Sequence, residues 1–374
     1  MTIGFIGLGG AGGNVANEAA LLGIHAAAIN FSQKDLDSIE HVKMKLKIMG
    51  SDGVGHDRNL AINLVQDHHQ MILKFISDNF SSPSIQIIFI PFACGGGSGS
   101  GIAPILCDIL SHEMPDKVLV PMPIIADESE VLISQMNCYN SLVELSKLDL
   151  CILPIDNQKV KTNFQAYKSK VFEIANTTSV SLIHSLVEYT NKSSKNGNFD
   201  NKDLISVFSQ RGIGCIAETE IVTLPKSDIT KHGIASSINS SWENSIFAPI
   251  EYDQVAKCGF IFDGQESLIE HIDYDLVFNS FSHGVPIDLF EGYYGEHNGK
   301  IITILTGLSW CNSRMRNIDV LIENEKNKAE MVIKSMENDQ FKAKTFDFDQ
   351  KLRQNNQKTS KNVAVLDIIG KYKR

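Results

Sequence analysis

The chain has 374 residues, 43 % of them hydrophobic and 21 % charged, and 34 Lys and Arg against 44 Asp and Glu leave a net charge of −10. That length suggests two domains, the apolar share excludes wholesale disorder, and the acidic balance makes a poor general binder of nucleic acid. No apolar run nears the ~20 residues of a membrane helix, Met1–Phe5 lacks the marks of a secretory leader, and seven scattered cysteines show neither metal-ligand spacing nor an even disulfide set, so a reducing cytoplasm and no membrane contact are expected.

In chain order, runs at 2–7, 24–30, 85–92, 117–125 and 149–155 are apolar at nearly every position, as strands buried on both faces are. Helical patterns fill 13–22, 57–79, 101–113 and 129–147. The alternation predicts a Rossmann-like α/β domain, a parallel sheet with helices on both faces, over residues 1–162. From Phe164 through Tyr167, Val171, Ala175, Thr178, Leu182 and Leu186 to Tyr189, apolar or small residues recur at three- or four-residue spacing. That spacing predicts one long central helix within 163–192. A polar loop, Asn191–Asn198, follows, then a helical pattern at 203–210, apolar stretches at 213–224, 258–263 and 300–307, and a helix over 231–243. These predict a smaller α+β second domain over 193–310. Residues 311–344 read as a charged C-terminal helix and 345–374 as a flexible basic tail with an apolar patch, Val363–Ile369.

Two glycine clusters carry the chemistry. Gly7, Gly9 and Gly12, after the first strand, satisfy GxGxxG, where backbone can approach a phosphate at a helix N-terminus. A dinucleotide site also wants an acid at the end of strand two, and here that strand ends in Asn30-Phe31-Ser32. An NAD-dependent oxidoreductase is therefore the distant alternative. The second cluster, Gly95-Gly96-Gly97-Ser98-Gly99-Ser100-Gly101, lies between a buried strand and a helix, where a flexible linker has no place. Its successive N–H groups and two hydroxyls suit an anion, and without a Lys-Ser or Lys-Thr ending it is no Walker loop. Two such loops on parallel strands suggest a di- or triphosphate held between two helix N-termini.

Gly95–Gly101 is similar to the GGGTGTG/GGGTGSG signature of the tubulin/FtsZ GTPases, with Ser replacing Thr, and further loops follow in that family's order. Gly9, Gly10, Ala11, Gly12, Gly13 and Asn14 resemble the first phosphate loop, running on to Asn17; Asn30–Leu36 resembles the second; Gly53–Asn59, with Gly55, the third. Pro123–Asp127 resembles the ribose loop, Ile155-Asp156-Asn157 the sixth, and Phe172–Asn176 the base-contacting start of the central helix. The resemblance covers roughly residues 3–310. It implies GTP/GDP with Mg²⁺ held by Gly9–Asn14, Asn30, Gly53, Gly55, Gly95–Gly97, Ser98, Gly99 and Ser100, with Asn17, Asn157 and Asn176 as base contacts. Asn suits a guanine edge, offering both a donor and an acceptor. At the ribose loop Asp127 takes a position usually held by Glu, but Val131 stands where an Arg is usual.

Asn198–Leu204 resembles the family's NxDxxD loop, which in relatives reaches the γ-phosphate of the next subunit. Asp200 and Asp203 would then orient the attacking water, so that hydrolysis awaits assembly. The residues alone also allow a simpler reading, Asp200 as an N-cap and Asp203 as a first-turn acid.

Three features depart from the division protein FtsZ: the sixth loop reads Ile155-Asp156-Asn157-Gln158, the second domain's end at Leu305–Leu308 runs into a charged helix, and no membrane-adaptor peptide is evident. The pattern is similar to the plasmid- and phage-borne TubZ branch. That resemblance implies head-to-tail filaments, a C-terminal helix that packs on the next subunit, and a tail that binds a DNA-binding adaptor of the TubR type, with plasmid or phage DNA as cargo. Residues 351–374 hold seven Lys and Arg and one acid, +6, against −16 for residues 1–350. A chromosomal cytoskeletal GTPase of the FtsZ or CetZ type is the alternative.

Overall fold

The computed structural model describes residues 2–338 apart from His297; the basic stretch 345–374, and with it the expected tail, lies outside the described residues. The first half runs β1 (Thr2–Leu8), α1 (Gly9–Leu21), β2 (His25–Asn30), α2 (Gln33–Ser38), β3 (Met44–Lys47), α3 (Arg58–Phe80), β4 (Ile85–Ala93), α4 (Ser98–Glu113), β5 (Val118–Ile125) and α5 (Leu132–Leu145). Then come β6 (Cys151–Ile152), β7 (Ile155–Asp156), α6 (Asn157–Asn163), α7 (Lys168–Tyr189) and α8 (Asn201–Phe208). The second half adds β8 (Gly212–Glu220), α9 (Lys231–Asn244), β9 (Lys257–Asp263), α10 (Tyr274–Val277), β10 (Asp288–Tyr294), β11 (Lys300–Leu308) and α11 (Asn312–Asn338).

Six strands form a wholly parallel sheet in the order β3-β2-β1-β4-β5-β7. Its central strand β4, IQIIFIPFA, is buried over almost its whole length, which is why it reads as an unbroken apolar run. Five strands form a mixed second sheet, β10-β9-β11-β8-β6. Helix α8 touches β4 and β5 of the first sheet and β9 and β11 of the second. The Phe89 and Phe208 rings meet edge to face at 5.4 Å, so the junction is apolar. The described core is continuous across both sheets. All seven cysteines are buried and free. No described helix is long and apolar enough to cross a membrane.

Three expectations need correction. The run 149–155 is not one strand: Cys151–Ile152 pairs with β8 in the second sheet, while Ile155–Asp156 pairs with β5 in the first. Leu153-Pro154 carries the chain between sheets, and burial keeps Cys151–Ile155 apolar throughout. The long central helix starts later than the spacing suggests: α6 ends at Asn163, Gln165 takes a left-handed φ of 46°, and α7 then runs unbroken over Lys168–Tyr189. The first helix starts at Gly9 and the fourth at Ser98, so much of each glycine cluster is the first turn of a helix. Strands β3 and β10 escaped notice because each lies at a sheet edge, half-buried and mixed in polarity.

Candidate functional site

In the first sheet the strand order reverses between β1 and β4. In open parallel sheets the crevice beyond the strand ends at such a point is where ligands bind. Both glycine clusters follow these two strands. Gly9, with φ +70°, places its Cα so close to the second cluster that an added Cβ would lie 3.1 Å from the Gly99 nitrogen. The two helix starts therefore abut. Gly53 and Gly55 turn a third loop with φ of 119° and 58°. The Gly55 carbonyl accepts from the Gly97 N–H at 3.1 Å, which clamps the third loop onto the second cluster.

A cleft of about 350 Å³ opens here, lined by Ala11, Asn14, His56, Gly95 and Gly96. Asn157, Phe172 and Asn176 line the same space, together with Ala126 and Glu130. A Cβ built on Gly96 would meet nothing within 4 Å, so the missing side chain leaves room inside the cleft. The Asn157 Oδ1 is buried and has no hydrogen-bond partner among the described residues, a cost that a donor on a bound molecule would remove. Phe172, 39 % exposed, lines the same cleft. Glycine-loop backbone at two helix starts, a buried acceptor without a partner and an aromatic lining residue are features that suit a purine nucleotide.

Other expected contacts are placed differently. Asn17 spends its Oδ1 on the His41 N–H at 2.8 Å. Buried Asn30 donates to Asp35 Oδ2 at 3.0 Å and accepts from Ser32 N, and Asp35 in turn faces Gly10. The Ser100 hydroxyl is buried and donates to the Gly96 carbonyl, bracing the loop, whereas Ser98 is half-buried. Asp127 is 3 % exposed; its carboxylate accepts from the Ser129 N–H and hydroxyl and from Lys161 at 3.2 Å. Glu130, three residues on, lines the cleft instead and was not anticipated. His56, in the expected third loop though not singled out there, also lines the cleft, with its Nδ1 3.2 Å from the Gly95 carbonyl.

Burial pushes the Asp127 carboxyl up, but the Ser129 hydrogen bonds and Lys161 outweigh it and hold it below its usual range. A carboxyl depressed on folding stabilises the fold above its unfolded value, about 3.9, and that contribution disappears as pH falls through the folded value. Asp127→Asn should therefore melt below wild type at pH 7, and the gap should narrow below about pH 4. Thermal denaturation across pH measures it; a gap independent of pH would mean the charge contributes nothing.

Asp200 and Asp203 form a capping box on α8. The Asp200 carboxylate accepts from the Lys202 and Asp203 N–H groups at 2.7 and 3.1 Å, and Asp203 Oδ2 accepts from the Asp200 N–H at 2.9 Å. Burial raises the Asp203 carboxyl, the Asp200 N–H opposes this, and the Asp200 charge adds to the rise. Neither residue lines the cleft of its own chain.

Residues 2–165 match the model of the Tubulin/FtsZ family, GTPase domain. The chain is 26 % identical over 315 residues to the tubulin-like protein CetZ of Pyrococcus abyssi, covering 81 % of this chain and 84 % of that one. It is 25 % identical over 351 residues to the tubulin-like protein TubZ of Clostridium botulinum C phage, covering 89 % and 86 %. In fold it is similar to a GTPγS-form protofilament structure of TubZ from Bacillus thuringiensis serovar israelensis, with a TM-score of 0.76, 15 % identity and coverage of 90 % and 94 %. The two abutting glycine loops at the switch point, and the family match over the residues that build them, make residues 2–165 a GTPase domain of the tubulin/FtsZ family, on a chain whose relatives include TubZ and CetZ.

Proposed function

We propose that this chain binds GTP, hydrolyses it to GDP and phosphate, and polymerises head-to-tail into dynamic filaments whose active sites are completed by a second copy. The observation that carries the reading is the cleft, which both glycine clusters line together with Asn157 and Asn176. Gly9–Asn14, Gly95–Gly97 and Ser98 would hold the phosphates, and Asn157 and Asn176 the base. Among the described residues no three His, Cys, Asp or Glu side chains cluster as a metal site. Mg²⁺ would therefore take its ligands chiefly from phosphate and water, neutralising charge on the β- and γ-phosphates.

Asp200 and Asp203 lie outside their own chain's cleft, so a part in hydrolysis requires another subunit to present them. They would orient a water for in-line attack on the γ-phosphorus as the bond to the β–γ bridging oxygen breaks. The protofilament form of the similar TubZ supports such stacking. So does α11, which is exposed at nearly every described position beyond Ile322 and so leaves surface for a neighbour. For cargo we favour plasmid or phage DNA held through a TubR-type adaptor on the basic 345–374 tail. A CetZ-type cytoskeletal role is the second reading, favoured by equal similarity to CetZ; the genes beside this one separate the two.

Denaturing the purified protein should release GDP or GTP, and turnover per subunit should rise steeply above a critical concentration that coincides with the onset of light scattering. Release of NAD would overturn the nucleotide assignment. Turnover per subunit independent of concentration would overturn the shared site.

A further inference from the structure

We infer that Arg314, on the C-terminal helix, is a positioning residue for base selection and couples docking of α11 to the nucleotide. The inference rests on the proposal that the cleft holds a guanine nucleotide. Arg314 is 3 % exposed; its Nε donates to Asp156 Oδ2 at 2.9 Å and its Nη2 to the Ala126 carbonyl at 2.7 Å. One planar guanidinium thus spans the loop after β5 and the start of α6, a two-point hold that only a fork of donors provides. Ala126 and Asn157 both line the cleft, Asp156 immediately precedes Asn157, and the Asn157 Oδ1 is buried without a hydrogen-bond partner among the described residues.

Asp156 also accepts from the Gln158 N–H at 3.0 Å, so the carboxylate that meets Arg314 is the N-cap of α6. From its other side α6 is tied to the second domain: Lys159 Nζ donates to the Phe247 carbonyl at 3.0 Å and to the Ser245 hydroxyl at 3.2 Å. The guanidinium is delivered by a helix start anchored through buried Cys311, Ile318 and Ile322. A buried ion pair is weak evidence of stability and is better explained where it fixes one geometry. Here that geometry is the direction of the Asn157 amide. Without Arg314 the buried Asp156 loses its counter-charge and must shift toward water, carrying Asn157 with it. By linkage, a nucleotide that needs Asn157 in place should in turn hold α11 down.

The test uses the full chain below its assembly concentration, with GDP and ADP competing against a fluorescent guanine nucleotide. Guanine presents N1–H and 2-amino donors on the edge where adenine has an unprotonated N1, so the GDP-to-ADP affinity ratio reads the Asn157 acceptor. Arg314→Met should lower that ratio roughly three- to tenfold, the worth of one oriented hydrogen bond, with ADP affinity little changed. Arg314→Lys keeps the charge but cannot span both partners, and should give an intermediate ratio. GDP should slow hydrogen exchange over 312–322 in wild type and not in Arg314→Met. An unchanged ratio, or equal weakening of GDP and ADP, would overturn the inference. If Arg314→Met does not fold, Arg314→Lys decides by the same ratio. Wild type that binds no GDP at all would instead sink the guanine-nucleotide reading itself.

Discussion

Asp200→Asn should bind GTP as wild type does, assemble, and turn over GTP roughly 10²- to 10⁴-fold more slowly, the usual range for removing a group that orients or deprotonates a nucleophile. The asparagine is chosen because the structure gives Asp200 a second task. Its side chain caps α8 by accepting from Lys202 and Asp203, and an amide oxygen still does so. The substitution thus removes charge and keeps the cap. Asp200→Ala removes both and should cost about 1 kcal/mol in addition. Polymers of Asp200→Asn should outlast those of wild type, since hydrolysis no longer loosens the contact. Sedimentation with phosphate release measures both. Wild-type turnover in assembled Asp200→Asn would reduce Asp200 to a cap and end the shared-site mechanism.

Gly12→Ala and Gly96→Ala should fail in opposite ways, although both add one methyl to a glycine loop. At Gly12 the new Cβ would sit 2.1 Å from the Pro91 carbonyl oxygen and 2.9 Å from its carbon. Those are backbone atoms of central strand β4, and they cannot move without parting α1 from the sheet. Overpacking of this kind costs roughly 1–3 kcal/mol where neighbours yield, and more is expected against rigid backbone, so the protein should melt well below wild type or fail to fold. At Gly96 the same methyl meets nothing within 4 Å and enters the cleft. The melting temperature should then hold while GDP affinity falls roughly tenfold or more, as the methyl crowds the phosphates. Melting and nucleotide titration of the two variants provide the check. A Gly96→Ala protein with unaltered affinity would place the phosphates elsewhere.

The two glycine clusters were legible because their message is local. A run of residues without side chains between a buried strand and a helix has few physical uses, and the structure indeed brings Gly9 and Gly99 into contact. The parallel sheet was legible for a similar reason, as strands buried on both faces cannot hide their composition. The carboxylates were harder. Asp127 stood at a family position for the ribose, yet its Oδ1 accepts from both Ser129 and Lys161, and Glu130 lines the cleft. Which of two acids three residues apart turns inward depends on the loop's path. Asp200 and Asp203 carried two readings from the outset; the capping box is what their own chain shows.

The buried contacts of Arg314 were not legible at all. The residue stands in a stretch so charged that a solvated helix was the natural reading, although it falls in phase with Cys311, Ile318 and Ile322. What distinguishes it from Arg316 is a carboxylate 158 positions earlier in the chain. Likewise the apolar run 149–155 announced burial but not that its halves serve two sheets.

By itself, then, the sequence determined what each segment must do locally: which runs must be buried, which loops can approach an anion, which asparagines and aspartates are available. The tertiary structure alone decided which of those groups share a space. Burial and backbone freedom depend on neighbours a few residues away, whereas the hold on the Ala126 and Asp156 side of the cleft depends on Arg314 reaching both across more than a hundred residues of chain.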